Sequence, residues 1–254
     1  MASFEDTTAV ITGAGSGIGR TTALEFADRG ADVVVADVDV EGGEGTASRI
    51  EDAGGDAVFV ETDVTDPDEA EAMVDTAVEE YGRLDYAFNN AGIGGEQADV
   101  AEYPPEQWRA VIDVNLVGVF NCMRAELRRM KRQDAGGAVV NNASVLGKVG
   151  FETSSGYVAA KHGVLGLTKT AALENAEAGV RVNAVCPGFI ETPLLEAGGI
   201  TTDPEVRAAI EGRHAMNRLG TPEEVSGAVL WLCSDEASFV TGESLDVEGG
   251  YLSR

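Results

Sequence analysis

Tyr157 and Lys161 stand four residues apart in SGYVAAKHGVLGLTKTAALE, a run with helical periodicity. Positions i and i+4 share a helix face, so the ammonium comes close beneath the phenol. A free tyrosine titrates near about 10, and a fixed positive neighbour favours its phenolate. A phenol drawn toward working pH can exchange a proton with a substrate oxygen. Ser144, thirteen residues upstream at the end of the apolar run GAVVNNAS, could hold that oxygen in place. Tyr-x-x-x-Lys is by itself a common surface pattern, and its meaning depends on the rest of the chain.

A second chemical cluster opens the chain. Thr12-Gly13-Ala14-Gly15-Ser16-Gly17-Ile18-Gly19 joins the β-rich run TTAVITG to the helical run RTTALEFADRG. Glycines there permit a tight turn and let backbone N–H groups approach a pyrophosphate, which a helix N-terminus attracts. The spacing is T-G-x-x-x-G-x-G, because position 20 is Arg20 rather than a third glycine of G-x-G-x-x-G. Asp37 closes the next apolar run, ADVVVAD, eighteen residues after Gly19. A carboxylate so placed accepts both adenosine-ribose hydroxyls and repels a 2′-phosphate. Neither Ser16 nor the VDVEGG that follows Asp37 offers a cation to that phosphate, which selects NAD over NADP. Asp63-Val64 ends a third apolar run, where capping of the helix at Pro67 is an equally good reading.

These residues need elements to hold them, and the sequence supplies seven apolar runs alternating with helical patterns. After the two runs above come DAVFVET, LDYAFNNAG, GAVVNNAS, GVRVNAVCPG and a final strand near SLDVEGG. Between them lie a helix from Pro67 to Gly82, a long helix from about Pro105 to Gln133, the Tyr157–Lys161 helix, a loop with a short helix, and PEEVSGAVLWLCSD. Continuous apolar strands alternating with helices predict an α/β fold: a doubly wound, seven-stranded parallel sheet covered on both faces. No repeat or linker divides residues 1–254, which read as a single dinucleotide-binding domain of the Rossmann type. In such sheets ligands lie beyond the carboxyl ends of the strands. Gly13–Gly19, Asp37, Asp63, Asn89–Gly92, Ser144 and Pro187–Gly188 all fall there.

Composition narrows the function further. Forty-four acidic against 18 basic residues give a net charge of −26, which repels nucleic acid and anionic membranes. No run is long and apolar enough to span a bilayer, and MASFEDTTAV lacks the layout of a signal peptide. Cys122, Cys186 and Cys233 show no metal-ligand or disulfide spacing, so no metal is expected and the expected location is cytoplasmic. Distributed acidity with few lysines resembles proteins of salt-loaded cytoplasm, where a Debye length of about 3 Å at molar salt makes self-repulsion tolerable.

The glycine turn, Asp37, Asn89-Asn90-Ala91-Gly92, Ser144 and Tyr157-x-x-x-Lys161, in this order, resemble the short-chain dehydrogenase/reductase family, in its branch of about 250 residues, over essentially the whole chain. The resemblance implies metal-free hydride transfer between a nicotinamide and a carbonyl or alcohol carbon. It implies Tyr157 as general acid/base, Lys161 as ribose ligand that lowers the Tyr157 pKa, Ser144 as orienter of the substrate oxygen, and Asn115 as holder of a relay water. On residues alone Asn115 reads as a core asparagine bonded to a helix carbonyl. The resemblance also implies cofactor contacts at Gly13, Ser16, Gly17, Ile18, Gly19, Asp37, Asp63, Val64 and Asn90. Further contacts follow at Pro187, Ile190 and Thr192 of a P-G-x-x-x-T stretch, with a substrate lid over about 189–216 and a homotetramer. His162 and His214 match no catalytic position.

The expected substrate wall is Val145–Phe151, Ile93–Gln97 and the lid, apolar apart from Lys148 and Glu152, which favours a small or medium secondary alcohol or ketone. One alternative is an NADPH-dependent reductase of 3-oxoacyl thioesters on acyl carrier protein or coenzyme A. Arg124, Arg128, Arg129, Lys131 and Arg132 would then dock an acidic carrier, although cations also favour any helix C-terminus. Another is a scaffold that only binds the dinucleotide, which the intact Asn115, Ser144, Tyr157 and Lys161 argue against.

Overall fold

The computed structural model describes residues 3–133 and 135–253, so positions 1, 2, 134 and 254 of the expected domain lie outside the described residues. The runs of apolar residues become β1 (Thr8–Thr12), β2 (Asp32–Asp37), β3 (Ala57–Glu61), β4 (Tyr86–Asn89), β5 (Gly137–Asn142), β6 (Val180–Pro187) and β7 (Ser244–Val247). They form one sheet in the order β3-β2-β1-β4-β5-β6-β7, with every neighbouring pair parallel. The chain order reverses between β1 and β4, which opens a crevice at their carboxyl ends.

Successive strand residues point to opposite faces and build two cores. Val10, Val34 and Val139 pack with Met73, Met123 and Val164 on one face. Ile11, Val33, Phe88 and Val140 pack with Phe26, Ile50, Val229 and Leu230 on the other. The first face is covered by α3 (Pro67–Tyr81), α4 (Pro105–Ile112), α5 (Val119–Met130) and α6 (Ser155–Asn175). The second is covered by α1 (Gly17–Asp28), α2 (Val40–Asp52) and α9 (Pro222–Cys233). Two short helices, α7 (Pro193–Ala197) and α8 (Pro204–Glu211), follow β6 where one had been expected, and α7 borders the crevice.

Two elements differ from the sequence reading. The helix α2 follows Asp37, although Gly42, Gly43 and Gly45 weaken its helical signal. Gly43 is there for contact: a Cβ would stand 2.1 Å from the ring of Phe59 on β3. The expected long helix is interrupted between α4 and α5 by a π-helical segment, Asp113–Gly118. Asn115 lies inside it and is fully buried. Its Oδ1 accepts from the backbone N–H of Ile93 and its Nδ2 donates to the Ile93 carbonyl, each at 2.8 Å. This pairing ties the helix to the loop after β4.

Candidate active site

The glycine turn shapes the cofactor end of the crevice. A Cβ on Gly19 would fall 2.1 Å from the Gly13 carbonyl oxygen and 2.5 Å from Asn90 Nδ2, so only glycine fits. Ser16 is the N-cap residue of α1, and its side chain makes no capping hydrogen bond. The hydroxyl and the positive end of a twelve-residue helix therefore face the same crevice, a setting suited to an anion. Asp37 stands beside the turn, accepting from Gly15 N at 2.7 Å and from Asp39 N at 2.8 Å. Arg20, the cation nearest in sequence to the glycine turn, binds the carbonyl of Gly15 and donates to Thr46 Oγ1 at 3.0 Å. It does not line the cavity.

That cavity has a volume of about 380 Å³ and runs from Asp37 and Asp63 past Ser16 to Lys161 and Tyr157. Gly13, Gly17, Ile18, Val64, Asn90 and Thr192 also line it. Asp63 does not cap the third helix. Its Oδ1 accepts from Thr65 N at 2.9 Å, while Asp66 takes the capping bond from Asp68 N. Asn90 donates through Nδ2 to the carbonyls of Thr12 and Gly13, at 3.0 and 3.1 Å, and so fastens β4 to the glycine turn.

A second chamber, also about 380 Å³, opens on the far side of Tyr157. Ser144, Val145, Phe151, Phe189, Leu195 and Ile200 are among its walls, together with Pro187 and Ile190. No acidic, basic or histidine side chain lines it among the described residues. Lys148, expected in this wall, turns away to Asp246 Oδ1 at 2.5 Å and the Ser244 carbonyl at 2.9 Å. Glu152 is likewise outside the lining. His214 is buried beneath the lid, between the Ile210 carbonyl (2.9 Å from Nδ1) and Phe189 N–H (3.3 Å from Nε2), edge-on to the Phe189 ring. His162 is exposed on α6.

Tyr157 borders both chambers. Lys161 is buried and its Nζ lies 5.5 Å from the Tyr157 ring centroid, donating to the Asn142 carbonyl at 2.5 Å. Burial pushes the ammonium down to about 8. Burial also pushes the Tyr157 phenol above its ordinary value, and the Ser144 side chain opposes that rise. The expectation was that Lys161 lowers Tyr157; here desolvation dominates and the Ser144 side chain is the group that opposes it. Ser144 caps the short 3₁₀ turn Val145–Gly147, accepting from Leu146 N at 3.1 Å. Ser144, Tyr157 and Lys161 are thus brought together. Asn115 sits one layer further in, its side chain committed to Ile93.

Comparison with known proteins bears directly on this arrangement. A family model described as enoyl-(acyl carrier protein) reductase matches residues 13–252. A cyclohexanol dehydrogenase of Acinetobacter sp. (strain SE19) is 46% identical over 251 residues, 99% of this chain and 97% of its own. A cis-4-hydroxycyclohexanecarboxylate dehydrogenase of Sinomonas cyclohexanicum is 47% identical over 250 residues, 98% of each chain. The chain belongs to the short-chain dehydrogenase/reductase family. The crystal structure of a levodione reductase superposes with a TM-score of 0.93 at 38% identity, covering 98% of this chain and 99% of that one. As a family member this protein is a nicotinamide-dependent oxidoreductase, and the crevice fits such a cofactor: an open helix N-terminus, a carboxylate at one end and a Tyr–Lys pair at the other.

Sequence reasoning gave no role of their own to Thr12, Leu194 and Asn142. Thr12 Oγ1 accepts from the N–H groups of Asn90 and Ala91, and Leu194 reaches both chambers from the lid. Asn142 is the second of two adjacent asparagines at the end of a strand, a polar interruption that was visible but had no assigned use.

Proposed function

We propose that this protein is an NAD-dependent dehydrogenase of uncharged alicyclic secondary alcohols, acting reversibly on the corresponding ketones. One observation carries the reading: in a chain of net charge −26, the second chamber, on the far side of Tyr157, is lined by no charged side chain among the described residues. Such a lining holds an apolar ring and leaves Ser144 and Tyr157 to bind its single oxygen. The ring-bearing substrates named for the similar dehydrogenases support the same class.

A bound nicotinamide supplies the hydride acceptor for an alcohol and, when reduced, the hydride donor for a ketone. The chain's own groups handle the oxygen. Ser144 holds it by hydrogen bonding, and Tyr157 takes the alcohol proton in oxidation or returns one in reduction. Lys161 lies beneath the phenol and donates toward a ribose. Asn115 holds the relay water through its backbone in this reading, since its side chain is already paired with Ile93. Asp37 binds the adenosine ribose and disfavours a 2′-phosphate, with Arg20 held behind the glycine turn. Asp63 and Val64 flank the adenine, Gly13 and Asn90 the adenosine side, and Ser16–Gly19 the pyrophosphate. Pro187, Ile190 and Thr192 border the nicotinamide, and residues 189–216 form the substrate lid. The working assembly in this reading is a homotetramer in the cytoplasm of a salt-rich cell.

A panel of cyclohexanols, acyclic secondary alcohols, polyols and 3-hydroxyacyl thioesters, assayed with NAD and NADP at low and molar salt, tests the reading. Turnover of cyclohexanols with NAD is expected. The acyl carrier protein in the family model's description and the Arg124–Arg132 helix end favour a second reading, an NADPH-dependent 3-oxoacyl-thioester reductase. Two of those arginines already face Glu71, at 3.9 and 3.6 Å, which weakens a carrier-docking patch. Thioester activity with NADP and silence on cyclohexanols would establish the second reading in place of the first.

A further inference from the structure

Asn142 closes β5 and carries none of the roles above. Its backbone carbonyl receives Lys161 Nζ, and its Nδ2 donates to Asn90 Oδ1 at 2.9 Å. Hydrogen bonding settles the orientation of both amides. Asn90 presents one side-chain atom to two carbonyls, Thr12 and Gly13, so that atom is nitrogen and its other terminus is oxygen. The atom of Asn142 facing that oxygen must then be Nδ2, which leaves Oδ1 as an acceptor. That Oδ1 is buried and has no hydrogen-bond partner. Among the described residues with such an orphaned side-chain atom, only Asn142 lines either of the two chambers, and it lines both. Buried amide oxygens are ordinarily paired, and an orphan on a residue that lines the ligand cavity points to a donor on the ligand.

Chemistry identifies the donor. A ketone has no hydroxyl hydrogen, and the single hydroxyl of an alcohol is already engaged between Ser144 and Tyr157, so the substrate offers Asn142 nothing in either direction. The dinucleotide carries ribose hydroxyls in both redox states. With Asp37 at one end of the cavity and the α1 N-terminus at its middle, the second ribose falls at the end where Asn142 and Lys161 lie.

We propose that Asn142 is a cofactor ligand whose Oδ1 accepts a hydrogen bond from a hydroxyl of the nicotinamide ribose. The proposal rests on the dehydrogenase reading above. It makes the amides a continuous relay: ribose hydroxyl to Asn142, Asn142 to Asn90, and Asn90 to the carbonyls of the glycine turn. The two ends of the cofactor site are thereby held in one register.

The test is equilibrium binding of NADH to the enzyme without substrate, followed by fluorescence, for wild type, Asn142→Leu and Asn142→Thr. NADH analogues lacking the 2′- or 3′-hydroxyl of the nicotinamide ribose are titrated in parallel. Wild type is expected to bind one of the analogues about tenfold more weakly than NADH, as one net hydrogen bond requires. Asn142→Leu is expected to bind NADH about tenfold more weakly than wild type and to lose that discrimination, because the bond is already gone. Asn142→Thr keeps a small polar group if the leucine variant fails to fold, and is expected to lose the same discrimination. Unchanged NADH affinity in the variants, or undiminished discrimination between NADH and its analogues, would overturn the assignment. So would a rise confined to the KM of the alcohol. Failure of wild type itself to bind NADH would instead sink the dehydrogenase reading beneath the proposal.

Discussion

The proton chemistry of this site turns on three side chains whose environments pull against one another. Tyr157 is pushed up by burial and drawn back by Ser144, while burial pushes Lys161 down to about 8. Alcohol oxidation requires the phenolate and ketone reduction the phenol. A raised Tyr157 therefore places the rising limb of kcat/KM for oxidation in the alkaline range, with reduction favoured at lower pH. Ser144→Ala removes the interaction that lowers Tyr157, so this limb should move to higher pH as the rate falls. A limb that stayed in place or moved to lower pH would contradict that account of Ser144. Tyr157→Phe should lose about 10²–10⁴ of turnover while still binding NADH, because the phenol moves the proton and does not build the cleft. The i, i+4 spacing made Tyr157 and Lys161 legible in the sequence. The sign of the Tyr157 shift was not, since desolvation depends on which segments pack over the phenol.

At the level of elements, the strands and most helices were legible from apolar runs and their punctuation, because a parallel sheet covered on both faces leaves unbroken apolar stretches. The π-helical segment was not legible, for it answers to the pairing of Asn115 with a loop 22 residues away in sequence. A buried network beneath the strand ends was equally hidden. Asn89 Nδ2 donates to Glu126 Oε2 and to Asn141 Oδ1, each at 3.0 Å, and Asn141 donates to Thr168 Oγ1 at 2.9 Å. These bonds lie next to Asn90 and Asn142, so the network sets the relative register of β4 and β5 at the site. Burial pushes the Glu126 carboxyl from 4.5 up to about 8. The fold thus holds this acid in its protonated form. Its contribution to stability is full below the unfolded value near 4.5 and is lost as pH rises through about 8. Glu126→Gln substitutes a permanently neutral amide for that acid. The Tm of the variant relative to wild type should rise with pH between about 4.5 and 8, by several degrees at about 2–4 °C per kcal/mol for a chain of this size, and level off above. A difference in Tm independent of pH would mean that Glu126 is not protonated in the native state.

Across the whole molecule, charge and apolar surface make opposing demands that salt reconciles. Only four lysines, Lys131, Lys148, Lys161 and Lys169, stand among the 18 basic residues, and two of them are engaged internally with Asp246 and Asn142. The excess of 26 negative charges is spread over a surface that also exposes apolar side chains. Val117 and Phe120 project from the long interrupted helix, and Trp231 and Phe239 from the C-terminal region. These are the two regions through which the family resemblance leads us to propose assembly into a tetramer, and their apolar groups gain by being covered. Bringing four such acidic chains together costs repulsion that acts over about 10 Å at 0.1 M salt and only about 3 Å at 1 M. Apolar contacts, in contrast, do not weaken as ionic strength rises. Light scattering should accordingly find four chains per particle in molar KCl and smaller species in dilute buffer, with Tm climbing over the same range. A tetramer that persisted unchanged in salt-free buffer, with constant Tm and activity, would show that the interfaces exclude the acidic groups. The charge would then serve solubility alone, and the proposal of a salt-rich source would fall with it.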